Sequence, residues 1–236
     1  MLRYRDVMIP NLRVISIGAL ATHPLWQETS AVRSGHATTS LIEAGDMRIL
    51  VDPGLPAAIL SARLTERAPC QPESVTHVFL TSLVTDTMRG VTAFPQARWL
   101  TWPDELEHAR AATAASLEIA SAHPEDGAAA PLEHQMAVLE RVEGAEDQLA
   151  PSVDLFPLPG VTAGTCGILL AQPTRTILMT GDAMATREHV EAGQVLPHTA
   201  NREQAMESFR EALEIADVIV PGRDNILLNP TRARQH

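Results

Sequence analysis

Residues 77–90 read HVFLTSLVTDTMRG. A short apolar run ends at Thr81; a small polar loop then carries Asp86 and closes on Gly90. Apolar runs of this length, bounded by turn residues, signal a buried strand. The loop therefore reads as the polar end of a strand. Three more stretches have the same form, each just after a predicted strand: PGVTAGT (159–165), TGDA (180–183) and PGRD (221–224).

Outward from these loops, the strands are LRVISIG (12–18), TTSLIEAG (38–45), MRILVDPG (47–54), VTHVFLT (75–81) and ARWLTW (97–102). Gly45 and Asp46 supply a hairpin turn between the second and third. LPAAILSARLTER (55–67) reads as a helix with Pro56 in its first turn. Residues 103–143 change character, with two Ala-, Leu- and Glu-rich helices around the loop HPEDGAA (123–129). Strands return at 153–160, 166–172 and 174–182, and a helix is expected over 183–192. Asn201 is a good N-cap for a helix whose stripe is Ala205, Phe209, Ala212, Leu213 and Ala216. DVIVPG (217–222) closes the pattern as a buried strand. Strand pairs, helices, more strand pairs and a helix point to two sheets covered by helices.

Composition narrows the function classes. At 236 residues the chain suits one large domain over 1–236, with a helical insertion at about 103–143, and buries ~70% of its unfolded surface. Aromatic residues are only 3%, so Leu, Ile, Val, Ala and Met must build the core. A net charge of −11 repels phosphate, which argues against nucleic acid and anionic membrane as partners. Cys70 and Cys166 form no spaced pair, and no apolar run approaches bilayer length. The opening MLRYRDVMIPNLRVISIGAL interleaves Arg and Asp and does not read as a leader. The expectation is a cytoplasmic protein.

The order and spacing of the four loops resemble the metallo-β-lactamase superfamily of hydrolases. In that family the loops read T-H-x-H-x-D-H-x-x-G, P-G-H-T-x-G-H, G-D and P-G-H. SLIEAGDMRILVDPGLP (40–56) also looks like the family's opening strand pair with its Asp-x-Gly turn. The resemblance covers about residues 12–224 and implies an αββα sandwich. Carried over position by position, it places Ser82, Val84 and Thr87 where the first loop has histidines. Val161 and Thr165 stand in the second loop, and Arg223 in the last. Asp86 and Asp182 match carboxylate ligands, the second of them the one that bridges two metals in the family.

Zinc sites are built from imidazole, thiolate and some carboxylate, usually three or four together. Valine has no lone pair to give, and Ser or Thr hydroxyls are weak donors suited at best to Mg²⁺ or Ca²⁺. No metal or other cofactor is expected; the alternative is a single divalent metal on Asp86 and Asp182. Two carboxylates brought together need an offsetting cation, so Arg223 is expected to tie Asp86 to Asp182. The pocket set is Ser82, Val84, Asp86, Thr87, Val161, Asp182 and Arg223, with Thr81, Thr85, Thr162 and Thr165 adding hydroxyls or merely capping loops.

Among the histidines, His36 stands before the second strand as a loop residue, His77 opens a strand, and His108, His123 and His134 lie in the insertion. His189 and His198 would be the source of any relocated metal. Cys166 reads as a small core residue, since Arg223 cannot accept its proton. The leading expectation is a pseudo-hydrolase that binds a small molecule or a partner protein. The alternative is a hydrolase of ester, lactone, thioester or phosphoester bonds using one weakly held metal. A structural subunit, paired with a relative or with its own copy, would present the insertion helices as an apolar interface. Those helices would otherwise cover the pocket.

Overall fold

The structure is a computed structural model that describes residues 9–122 and 127–232. His123 and residues 1–8 of the opening stretch lie outside it. Two six-stranded sheets form the centre. The first holds β1 (Asn11–Ser16), β2 (Thr39–Ala44), β3 (Met47–Val51), β4 (His77–Leu80), β5 (Arg98–Thr101) and β6 (Val142–Gly144), in that order. The second runs β12 (Leu227–Leu228), β11 (Val218–Pro221), β10 (Arg175–Gly181), β9 (Cys166–Gln172), β8 (Val153–Pro157) and β7 (Gln148–Ala150). Strands β3 to β6 are parallel, as are β10 and β11.

The helices are α1 (Ala57–Arg67), α2 (Thr85–Met88), α3 (Pro103–Ala122), α4 (Ala129–Arg141), α5 (Arg187–Ala192) and α6 (Arg202–Ile215). Strand alternation sorts the core into layers. Phe79 of β4 and Ile177 and Met179 of β10 point inward, into one cluster shared by the two sheets. Val78 and Leu80 point outward, to Leu60 and Leu64 of α1 and Leu139 of α4. Leu178 and Ile219 point to the other outer layer, against Phe209 and Ala212 of α6. Both faces of each sheet are therefore covered, which explains why the strands read as near-continuous apolar runs. The expected αββα sandwich is the fold observed.

Local signals behave as their chemistry requires. Asn201 caps α6 by accepting from the Gln204 amide at 3.1 Å. Gly45, at φ 64°, makes the β2–β3 turn. Pro56 is the N-cap of α1 rather than a residue of its first turn. The helix expected over 183–192 is divided: a 3-10 turn covers Asp182–Met184, and α5 begins at Arg187 after an extended Thr186. Strands β6, β7 and β12 have only two or three residues, too short to show a period.

Candidate functional site

The four polar loops meet at one rim of the sandwich, around a cleft of about 680 Å³. Parallel neighbours β10 and β11 end there together, delivering Asp182 and Arg223. Backbone bonds knit the rim within and between the sheets. The Cys166 amide donates to the Thr81 carbonyl at 2.9 Å, the Ala37 amide to the Asp86 carbonyl at 3.0 Å, and the Thr38 amide to the Gly222 carbonyl at 2.7 Å. Two glycines admit close approaches that a side chain would block. At Gly160 (φ 125°) a Cβ would strike the backbone of Ala205, and at Gly181 (φ 52°) it would strike the Thr81 side chain.

Arg223 is the centre of the site. Its Nε donates to Asp182 Oδ1 at 2.7 Å and its Nη2 to Asp182 Oδ2 at 2.6 Å, a two-pronged grip. Nη1 reaches Asp86 Oδ2 at 2.9 Å. One guanidinium thus joins the two carboxylates, as the charge argument required. Burial works against its charge, but the Asp182 and Asp86 carboxylates outweigh that and hold Arg223 above the ordinary arginine range. A second cation also serves the site: Arg89 Nη2 donates to Asp86 Oδ1 at 2.7 Å. Arg89 lies three residues from Asp86 on the same turn, a helical spacing visible in the sequence.

Val84, Thr85, Asp86, Val161, Thr162, Asp182 and Arg223 all line the cleft. Ser82 and Thr87, expected with them, do not. Both are buried beneath the loop, where Thr87 Oγ1 donates to the Ser82 and Val84 carbonyls. Thr81 and Thr165 are likewise committed inside: Thr81 donates its amide and hydroxyl to Asp52, and Thr165 Oγ1 accepts from the Thr162 amide. Of the expected hydroxyl ring, Thr87 and Thr165 bond backbone, as Ser and Thr in loops often do, while Thr81 and Thr162 donate to the buried carboxylates of Asp52 and Glu105.

Three further groups shape the site and were not anticipated. Asp52, at φ 50° after β3, is buried, and burial raises its carboxyl to about 7. Glu105, in the first turn of α3, is also buried. It accepts from the Leu83 amide (2.8 Å), the Thr162 hydroxyl (2.6 Å) and the Gly164 amide (3.1 Å), so one carboxylate clamps the first two loops. The third is a knot around Thr186. Its hydroxyl lies 3.1 Å from His23 Nε2, 2.9 Å from His189 Nδ1 and 2.8 Å from Glu188 Oε2. His23 stacks on Trp26, so the knot fastens the 20–28 wall of the cleft to the start of α5. A Glu in an Ala-rich helix resembles a surface residue, and His23 meets Thr186 across 163 positions. Neither role leaves a local signal.

The remaining candidates stand apart. His36 lines a separate groove beside α1, His77 is half-buried against Thr76, and His108 and His134 are exposed. His198 sits on the cleft while His189 is in the knot. Among the described residues, no three His, Cys, Asp or Glu side chains form a group that could hold a metal. Cys166 is fully buried and burial pushes its thiol up to about 12, the state of a core residue and not a nucleophile. No described residue of α3 or α4 lines the cleft, so these two helices do not cover it. No described helix is long and apolar enough to cross a membrane.

Two sheets between helices, with a cleft at the strand ends, define the architecture of a large hydrolase group. A family model of the metallo-β-lactamase superfamily matches residues 32–223, and the chain belongs to that superfamily. No curated protein matches it. Among solved structures, it is similar to a Thermotoga maritima protein assigned to the metallo-β-lactamases: 17% identity, TM-score 0.68, covering 93% of this chain and 99% of that one. It is also similar to AidC, a dizinc quorum-quenching lactonase solved with N-hexanoyl-L-homoserine as product (16%, 0.63, 79% and 72%). A third is a B. thuringiensis AiiA variant with N-decanoyl-L-homoserine at its active site (15%, 0.61, 96% and 95%). At these identities the likeness is one of fold.

Proposed function

We propose that this chain is a metal-free member of its superfamily whose cleft binds a small molecule without hydrolysing it. The observation that carries the reading is the grip of Arg223 on Asp182 and Asp86. Both carboxylates that could ligate a metal already hold a fixed cation, and the positions around them offer valine and buried hydroxyls. That donor set does not fit a dinuclear zinc centre. Neither Cys166, protonated in the core, nor Ser82, under the loop, stands as a nucleophile in its place. A cleft of about 680 Å³ is in the size range of small-molecule sites. Two free, buried thiols support a reducing, cytoplasmic setting.

The similar lactonases favour a second reading, a hydrolase with one weakly held divalent metal on Asp86 and Asp182. It requires Arg223 to swing out and leave the rim. A structural subunit has less support, because Ile119 is the one large apolar side chain exposed on the described residues of α3 and α4.

Elemental analysis of the untagged protein, purified without added metal, separates the first two readings. Below about a tenth of an equivalent of any transition metal, with no rise in melting temperature on adding Zn²⁺ or Mn²⁺, is the expected result. Near one equivalent, lost in Asp86→Ala or Asp182→Ala, together with lactone or ester hydrolysis, overturns it.

A further inference from the structure

The charges of the cleft cancel one another. Three carboxylates line it, those of Glu28, Asp86 and Asp182. Each of their six oxygens accepts from a guanidinium: Asp182 from Arg223, Asp86 from Arg223 and Arg89, and Glu28 from Arg33. Three cations thus balance three anions, and neither sign is left over. Arg223 is nearly buried, with all three guanidinium nitrogens committed to the two aspartates. Arg89 and Arg33 do not line the cleft themselves. The rest of the lining is largely hydrocarbon: Leu20, Pro24, Val84, Val161, Leu196 and Pro197, drawn from four separate segments. Thr22 and Thr85 add uncharged hydroxyls. Thr162 has already given its hydroxyl to Glu105, and His198 is exposed.

A metal centre in this place would draw ligand lone pairs to a bare cation. A closed set of ion pairs draws neither sign. The pull of one partner on an incoming charge is offset by the push of the other beside it, and the entering group still loses water. Apolar surface laid on the walls is favoured by burial alone and needs no partner. We infer that the cleft takes uncharged, largely hydrocarbon molecules, seated against the Leu, Val and Pro walls, whose polar groups are neutral ones that the Thr22 and Thr85 hydroxyls can meet. This rests on the reading of the cleft as a ligand site and supplies the chemistry of its ligand. The selection is by what the floor withholds: an ammonium finds every carboxylate oxygen already bonded, and a carboxylate finds every guanidinium already held.

Saturation-transfer NMR titrations with 1-hexanol, 1-butanol, hexylamine and hexanoate test this. On the native chain hexanol is expected to bind about tenfold more tightly than either charged probe, the cost of partly desolvating a charge that gains no partner. Butanol, two methylenes shorter, is expected to bind about tenfold more weakly than hexanol. Two variants open the balance in opposite directions. Arg89→Gln leaves one carboxylate in excess and is expected to bring hexylamine level with hexanol, while Glu28→Gln leaves one guanidinium in excess and is expected to do so for hexanoate. Val84→Trp, which narrows the cleft, weakens every probe. Should a variant fail to fold, the ranking on the native chain still decides. Either charged probe binding the native chain as tightly as hexanol overturns the inference while leaving the cleft a ligand site. A ranking that neither charge variant alters shows that the ion pairs do not set it, and overturns the inference too. Equal hexanol binding to Val84→Trp places the probe outside the cleft and has the same effect. Failure of all four probes to bind overturns the proposed function as well.

Discussion

Arg223 and Asp182 meet through two parallel hydrogen bonds, of 2.7 and 2.6 Å, at the ends of adjacent parallel strands. Both side chains are nearly buried, so removing one strands the other. Arg223→Met is expected to cost about 3–5 kcal/mol in urea denaturation, the penalty of an uncompensated buried charge. Adding Asp86→Asn and Asp182→Asn to Arg223→Met should recover much of that loss. If the triple variant is as unstable as the single one, packing of the arginine stem, not charge, is what matters.

Two buried groups tilt the pH profile in opposite directions. Asp52 keeps its proton up to about pH 7 in the folded chain, against an ordinary value of 3.8. Between those values the folded state binds more protons, so stability falls as pH rises, by at most ~1.4 kcal/mol per unit. His189 is lowered from 6.5 to about 4, first by burial and then by His23. Between those values the unfolded state binds more protons, so stability rises with pH. The native profile from pH 4 to 6.5 should be flatter than that of either variant. Asp52→Asn should show stability rising with pH over this window, and His189→Phe should show it falling. Urea midpoints at pH 4.5, 5.5 and 6.5 report both slopes. Asparagine is the chosen replacement because it tolerates the positive φ of Asp52.

Glu105 accepts three hydrogen bonds inside the protein. In Glu105→Ala the Leu83 and Gly164 amides are left without it, each such loss costing about 1–3 kcal/mol. Glu105→Gln keeps an acceptor oxygen and should lose roughly half as much. Melting temperatures of the two variants measure the difference. Slowed hydrogen exchange at Leu83 and Gly164 in the native protein should be lost in the alanine variant.

Thr186→Val removes the hydroxyl shared by His23, His189 and Glu188. A cost of about 1–3 kcal/mol is expected, and the 20–28 wall should loosen with it. Faster tryptic cleavage after Arg33 in Thr186→Val than in the native chain is the readout. Equal cleavage rates would show that stacking of His23 on Trp26 holds the wall without the hydroxyl.

The sequence made some of this legible and hid the rest for physical reasons. The strands were legible from apolar runs, because strands covered on both faces have few polar positions, whereas the αββα order came from the family resemblance of the loops. Asn201 announced its helix because a cap acts within three residues. The Arg223 bridge was readable because two carboxylates and a cation appeared at loop positions that the fold brings together. Ser82 and Thr87 were misplaced because neighbouring loop residues point to different sides of the backbone, and spacing does not say which side is wet. Glu105, Asp52 and His23 escaped because their partners lie tens of residues away, and a lone carboxylate or imidazole looks alike at a surface and in a core.

The Arg223 bridge also governs how easily such a site changes by single steps. Replacing Arg223 alone with histidine would set one imidazole beside two carboxylates, the smallest ligand set from which a zinc site is built. Introducing a histidine at Val84 or Val161 alone leaves the guanidinium still holding both aspartates. The bridge therefore separates floor from walls: substitutions at Val84 or Val161 alter what the cleft accepts while the guanidinium keeps both aspartates occupied.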